Sequence, residues 1–205
     1  MATPESFRAV IFDCDGVLVD SEPLVTRLEA DLVSRLGIPC TPDEARRRFK
    51  GKTVAGVAEA VEADLGRPLS KDWIYDWGMA TALGFVRELR PIEGVDAVVR
   101  ALHERRVPIA VASQSPPARV GLSLRLCRLD SYFGPHVYTA SMVARPKPAP
   151  DLYVLAAERL GSSPRECVVI EDSPTGVRAA VAAGMTCWGY AAAESPADLR
   201  AAGAA

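Results

Sequence analysis

Asp13 and Asp15 stand two residues apart at the end of an apolar run, Ala9-Val10-Ile11-Phe12, and Gly16 follows them. If the extended geometry of such a run continues, both carboxylates point to one side, where unpaired they repel. A positive charge is expected beside them, and a hard divalent cation with oxygen ligands suits the pair. Gly16 lets the backbone turn sharply and come close to a ligand. Later in the chain Ser113, Lys147 and the pair Glu171-Asp172 each follow or close another short apolar run. Together these side chains offer what phosphoryl transfer needs: a nucleophile, charge neutralisation on phosphate oxygens, and a proton for the leaving group. Each has an ordinary alternative. D-x-D-G can be a polar turn, Ser113 a helix cap, Lys147 a surface lysine, and Glu171-Asp172 the first turn of the next helix. The joint occurrence at successive strand ends favours a site.

The elements that must position these residues are legible from periodicity. Ala9–Phe12 is short, apolar and rich in β-branched residues, as a strand buried on both faces should be. Leu24, Leu28, Leu32 and Leu36 recur every four residues up to Gly37, predicting a helix. Thr41-Pro42-Asp43-Glu44 reads as a capping box opening a helix to about Lys50. Val54, Val57, Ala58, Val61 and Leu65 trace a third helix closed by Gly66, and Ser70 caps a fourth that runs through Trp73, Trp77 and Phe85 to Leu89, ahead of Arg90-Pro91. From Ile92 strand and helix signals alternate, with strands at Val107–Ser113, Val137–Ala140, Cys167–Glu171 and Met185–Tyr190. Helices fall at Gly94–His103, from Pro116-Pro117 to Leu126, at Pro150–Leu160, and from Pro174 to Ala183. This predicts an α/β fold, a doubly wound parallel sheet with a Rossmann-like core, carrying an inserted four-helix unit. The core is placed at residues 1–16 and 91–205 and the helical unit at 17–90. Ligands of such sheets bind beyond the carboxyl ends of the strands, where the candidate residues fall. The alanine-rich tail from Ala191 carries no clear signal.

Within the helical unit, Arg46 and Arg47 read as a solvated basic face. Lys50-Gly51-Lys52 differs, since a glycine between cations beside a bundle could close over an anion; Lys50 or Lys52 is expected to face the substrate. The tryptophans, four residues apart, read as bundle core.

Composition bounds the rest. The chain has 205 residues, 49% hydrophobic and 24% charged, ordinary for a globular protein. A net charge of −2 gives no electrostatic case for nucleic acid. Five cysteines, odd in number and without C-x-x-C spacing, suggest a reducing cytoplasm, with Cys14, Cys167 and Cys187 as small hydrophobes. The first residues, MATPESF, are too polar for a signal peptide, and no apolar run approaches membrane-spanning length, so no membrane partner is expected.

The string from Phe7 to Glu22, FRAVIFDCDGVLVDSE, resembles the first signature of the haloacid dehalogenase-like hydrolases, a hydrophobic run followed by D-x-D-G-[TV]-L-x-D-[ST]. RPKPAPD around Lys147 is similar to the family's third signature, and VVIEDSPTGVRAAVAAGM to its fourth. The resemblance spans almost the whole chain, including a helical cap after the first strand. It implies that Asp13 is the nucleophile, Asp15 the acid and base, and Ser113 and Lys147 phosphate ligands. Gln114 and Lys52 join the substrate ligands, and Asp13, Asp15 (through its backbone carbonyl), Asp172 and Glu171 the Mg²⁺ ligands. The cap placement and the I-E-D-S form resemble the β-phosphoglucomutase-like branch, which also holds sugar-phosphate phosphatases.

The expected activity is therefore a Mg²⁺-dependent phosphatase acting on a small phosphorylated metabolite, a sugar or sugar-acid phosphate, through an aspartyl-phosphate, in a monomer or weak dimer. Asp15 speaks against a haloalkanoate dehalogenase, whose relatives lack the second aspartate. The alternatives are a β-phosphoglucomutase-like phosphomutase and a non-catalytic binding protein of the same fold. The mutase is disfavoured because Lys50-Gly51-Lys52-Thr53-Val54 lacks the arginine of a K-G-x-S-R string. Three features depart from the family pattern. Gln114 stands in place of asparagine, Pro146 in place of glycine, and the chain reaches Ala205 without the signal of a further strand, predicting a sheet one strand short.

Overall fold

The computed structural model describes residues 7–50, 52–192 and 194–205. The stretch MATPESF, read as too polar for a signal peptide, lies outside the described residues except for Phe7, and Gly51 lies outside them too. Five strands form one parallel sheet: β1 (Ala9–Phe12), β2 (Ile109–Ser113), β3 (Val137–Thr139), β4 (Cys167–Glu171) and β5 (Thr186–Gly189), in the order β3-β2-β1-β4-β5. β1 is central, and the strand order reverses between it and β4. That reversal opens the crevice at the carboxyl ends where doubly wound sheets bind ligands.

Side chains alternate across the sheet and build two apolar layers. Val10, Phe12, Ile109 and Val111 face α5 (Val95–Glu104), α6 (Pro117–Leu126) and α7 (Asp130–Phe133). Ala9, Ile11, Ala110 and Ala112 face α8 (Asp151–Arg159), α9 (Pro174–Ala182) and α10 (Pro196–Ala201). The small alanines of the second face let α8 lie close, so that Tyr153 is fully buried beneath the strand ends.

Between β1 and α5 come α1 (Glu22–Ser34), α2 (Pro42–Phe49), α3 (Val54–Leu65) and α4 (Lys71–Glu88). The capping signals read in the sequence form. Thr41 and Glu44 exchange both bonds of a capping box, Thr53 Oγ1 accepts from Gly56 N, and Ser70 Oγ accepts from Trp73 N. Gly66 takes the left-handed conformation that ends α3. Trp73 and Trp77 are buried with Val33, Phe49 and Val61 in a separate apolar cluster. The ends of this insertion join the main core instead: Leu24 and Val25 of α1, Phe85 of α4 and Leu89 just after it pack with Phe12 and Val99. The two connecting segments run side by side, Asp20 N donating to Arg90 O and Ile92 N to Leu18 O.

Two α-helices among the described residues were not predicted. α7 is a single turn before β3, with Phe133 packed edge-on against Phe12 at 6.0 Å. α10 arises in the alanine-rich tail. Ser195 Oγ accepts from Ala197 N, Leu199 is buried under α9, and Ala205 N donates to Cys187 O at 2.9 Å. The tail thus lies along β5, and the sheet among the described residues is built from the five strands read in the sequence. β3 is shorter than expected because the chain tightens into a 3₁₀ turn at Ala140–Met142. No described helix is long and apolar enough to cross a membrane.

Candidate functional site

β1 ends where Asp13 N donates to Ile170 O on β4, and the chain then turns, with Leu18 N and Val19 N both donating to Cys14 O. Gly16, at φ +82°, makes this turn possible. A Cβ there would stand 2.3 Å from Asp172 Oδ2, so the glycine also keeps the space beside that carboxylate open.

Lys147 is the hinge of the buried charges. Its Nζ donates to Asp13 Oδ1 at 2.6 Å, to Glu171 Oε1 at 2.8 Å and to Ala112 O at 2.9 Å. All three donors of the ammonium are used, in a direction set by the strand ends. Burial opposes its charge, but Asp13 and Glu171 outweigh burial and push its pKa up. Glu171 is fully engaged in return. Its Oε1 also accepts from Tyr153 Oη at 3.0 Å, and its Oε2 accepts from both Ser173 N and Ser173 Oγ at 2.9 Å. A Cβ at Gly176 would overlap this carboxylate, so the glycine is what lets α9 approach it. Burial works against ionisation of Glu171, yet Lys147 and Ser173 hold its pKa below the usual range.

Asp13 and Asp172 sit on the other side of the balance. Burial, with Glu171 and Asp172 adding to it against Lys147, raises the Asp13 carboxyl well above its ordinary pKa. Burial and then Glu171 push Asp172 up to about 7, opposed by Lys50. Lys50 follows α2, and its Nζ crosses to Asp172 Oδ2 at 3.0 Å, with Glu22 at 3.2 Å and Glu194 at 3.3 Å.

Asp15 is held by residues that the sequence did not single out. Its Oδ1 accepts from Ser21 Oγ and, at 3.0 Å, from Arg119 of α6, while its Oδ2 accepts from Ser115 Oγ at 2.6 Å. Burial opposes ionisation, but Arg119 and the two hydroxyls outweigh it and hold the carboxyl below the usual range. Arg119 also stacks over Phe85, 5.2 Å from the ring centre, which fixes its plane.

Of the remaining expected residues, Ser113 is buried at the end of β2 and its Oγ accepts from Ser115 N at 3.1 Å. It does not cap α6, which has no side-chain cap. Gln114 Nε2 donates to Lys147 O at 3.3 Å and so ties two strand-end loops together. Lys52 is exposed, at the rim of the same cavity. Arg46, expected to be solvated, has its Nε 3.3 Å from Glu22, because α2 lies across the start of α1; Arg47 is exposed as expected.

One cavity brings Asp13, Asp15, Ser113, Gln114, Lys147 and Asp172 together, with Lys50 and Lys52 from the insertion on its other wall. Among the described residues, no three His, Cys, Asp or Glu side chains are grouped as an all-protein metal cage. Arg119 and Ser115 belong to this constellation but gave no signal, since their roles depend on contacts across the fold, whereas Ser21 closes the D-x-D-G-[TV]-L-x-D-[ST] string without its bond to Asp15 being readable there. Glu29 also lies on the cavity wall, in a row with Val25 and Val33 at four-residue spacing that the leucine repeat of the same helix masks in the sequence.

The family model described as haloacid dehalogenase-like hydrolase matches residues 7–184. The chain is similar to the 6-phosphogluconate phosphatase of Escherichia coli K12, 31% identical over 87% of this chain and 80% of that one. It is similar to hexitol phosphatase B of the same organism, 34% identical over 90% of this chain and 84% of that one. Among solved structures it is similar to a hydrolase from Deinococcus radiodurans R1 with bound phosphate and sodium. That structure has a TM-score of 0.76 and 36% identity, over 97% of this chain and 89% of that chain.

Proposed function

The chain belongs to the haloacid dehalogenase-like hydrolase family and is a phosphoric monoester hydrolase, and from that premise we propose a Mg²⁺-dependent phosphatase of a small phosphorylated sugar or sugar acid. Helices α1 to α4 act as its cap. The observation that carries this reading is the Asp13–Lys147 pair. Lys147 holds one oxygen of Asp13 at 2.6 Å and so leaves the other to attack a phosphorus in the cavity. The two similar Escherichia coli proteins, named for phosphatases of a phosphorylated sugar acid and of hexitol phosphates, support the substrate class.

The donor set suits Mg²⁺. Asp13 and Asp172 are buried carboxyls whose pKa values are raised first by burial and further by neighbouring carboxylates, against Lys147 and Lys50, so a bound cation would favour their ionised forms. Mg²⁺ is commonly bound by one or two carboxylates, with water and phosphate oxygens completing its octahedron. Asp13, Asp172 and the Asp15 backbone carbonyl would hold it. Glu171 spends its oxygens on Lys147, Tyr153 and Ser173, so it serves by orienting Lys147 and not as a direct ligand. When bound, the ion neutralises the phosphoryl oxygens and the nucleophile that approaches them.

The free oxygen of Asp13 attacks phosphorus, the bond from phosphorus to the leaving oxygen breaks, and protonated Asp15 gives that oxygen its proton. Arg119 favours the ionised form of Asp15 and must therefore leave it when substrate enters. Ser113, whose hydroxyl hydrogen is not engaged among the described residues, holds a phosphoryl oxygen. Lys147, its three donors spent on Asp13, Glu171 and Ala112 O, acts on the phosphoryl group through its charge. In the second half Asp15 takes a proton from water, the water oxygen attacks phosphorus, and the bond to Asp13 breaks to release inorganic phosphate.

The test is to incubate the purified protein and Mg²⁺ with glucitol 6-phosphate, fructose 1-phosphate and 6-phosphogluconate, and to follow both inorganic phosphate and isomerised sugar phosphate. Phosphate release without a bisphosphate activator is expected. Isomer accumulating faster than phosphate would make the protein a mutase, and binding without turnover would make it a non-catalytic member of the fold.

A further inference from the structure

Glu29 lies midway along α1, 7% exposed, in a row otherwise filled by Val25 and Val33. With Val25, Phe49, Val54, Val57 and Trp77 of the insertion, Glu29 lines the cavity that holds Asp13. Nothing within the described protein satisfies it. No hydrogen bond or ion pair at contact distance reaches its oxygens, and its charged surroundings reduce to the more distant Arg119 and Asp15. A carboxyl buried in this way without a partner costs free energy that a leucine at the same position would not. The favourable term that offsets this cost must then come from something entering the cavity.

We propose that Glu29 binds the hydroxyl groups of the leaving alcohol, and that the substrate class is accordingly a polyhydroxy phosphate monoester, a sugar or alditol monophosphate. The assignment rests on the phosphatase reading of the Asp13 site. The chemistry of the position distinguishes hydroxyls from other groups. Burial, with Asp15 adding to it and Arg119 opposing, pushes the Glu29 pKa up to about 8. At neutral pH the carboxyl is therefore largely protonated, with one donor and remaining acceptor capacity. A hydroxyl both donates and accepts, so adjacent hydroxyls satisfy either protonation state. A carboxylate or second phosphate would suit only the protonated form. Valines, Phe49 and Trp77 line the cavity with Glu29, a polar group that a carbon chain bearing hydroxyls would meet beyond the phosphate.

The experiment compares wild type with Glu29→Leu and Glu29→Gln, each checked for folding by circular dichroism. Steady-state kinetics are measured with Mg²⁺ on glucitol 6-phosphate, 6-phosphogluconate and p-nitrophenyl phosphate. Glu29→Leu should raise KM for glucitol 6-phosphate about tenfold, the worth of a lost hydrogen bond to a buried partner, and leave p-nitrophenyl phosphate within about twofold. Glu29→Gln, which keeps a donor and an acceptor, should recover much of the loss. Calorimetric binding of glucitol 6-phosphate in an Asp13→Asn background should weaken by the same factor when Glu29→Leu is added. Equal effects on all three substrates, or none, would overturn the assignment, and so would a larger loss on 6-phosphogluconate than on glucitol 6-phosphate. Failure of wild type to release phosphate from any substrate would instead strike the phosphatase reading, and the binding measurement would still decide the role of Glu29.

Discussion

Lys50 Nζ, at the end of α2, lies 3.0 Å from Asp172 Oδ2, just past the end of β4. This ion pair ties the helical insertion to the sheet through a proposed metal ligand, so the ammonium and a divalent cation draw on the same carboxylate. Glu22 and Glu194 hold Lys50 from the other sides, and although burial opposes its charge, Asp172 and Glu22 raise its pKa, so it stays ionised. Lys50→Ala should lower the Mg²⁺ concentration for half-maximal activity several-fold, because a competing charge is removed. The same change should raise KM for the phosphorylated substrate if Lys50 turns to the phosphate once Mg²⁺ is in place. Titration of activity with Mg²⁺ at fixed substrate measures the first effect. An unchanged Mg²⁺ requirement would show that the pair does not persist in solution.

Asp13→Asn should abolish turnover and leave the fold intact. The amide cannot displace a leaving group, but it keeps the shape of the side chain at the end of β1. Three buried carboxylates, Asp13, Glu171 and Asp172, face Lys147 and Lys50, so neutralising the carboxyl with the strongly raised pKa relieves repulsion as well as removing a partner of Lys147. The melting temperature should stay within a few degrees of wild type. Activity close to wild type in a phosphate-release assay would rule out the covalent route.

Glu171 and Asp172 are adjacent in sequence but should fail differently. Glu171→Gln weakens the grip on Lys147 and leaves Tyr153 and Ser173 with an imperfect partner. The expected loss is about 3 kcal/mol, or roughly 6–12 °C in melting temperature. Asp172→Asn should leave the melting temperature nearly unchanged and raise the Mg²⁺ requirement at least tenfold. Thermal melts and Mg²⁺ titrations of the two variants separate the roles, and matching profiles would show that Glu171 binds the metal as Asp172 does.

Asp13, Lys147 and Glu171-Asp172 were legible in the sequence because each interrupts or ends a run that is otherwise apolar, and a buried strand end tolerates charge only for a reason. Arg119 was not legible. Its bond to Asp15 joins residues 104 apart, and a basic residue in the first turns of a helix after Pro116-Pro117 carries no local sign of a partner. Lys50 and Lys52 could not be ranked from one short string. The structure separates them because α2 ends with Lys50 aimed at the sheet, while Lys52 stays exposed. Glu29 was hidden for a different reason. The leucine repeat of α1 dominates its periodicity, and the row Val25-Glu29-Val33 beside it becomes visible only once the buried residues are known.

Glu29 also predicts how stability depends on pH. Its carboxyl titrates near 8 when folded, chiefly through burial, with Asp15 adding and Arg119 opposing, against an ordinary value of 4.5 when unfolded. Between those two values the folded state binds the proton more tightly, so stability falls as pH rises and reaches its full loss above pH 8. Below about pH 4.5 both states are protonated and the effect vanishes. Glu29→Gln carries no such proton. Its melting temperature should nearly match wild type at pH 5 and exceed it at pH 8.5 by on the order of 5–10 °C. Melts of the two proteins, without substrate, in buffers spanning that range measure the difference directly. A gap of the same size at both ends would mean that Glu29 ionises in the folded protein as it does in the unfolded chain, and that its oxygens already have partners there.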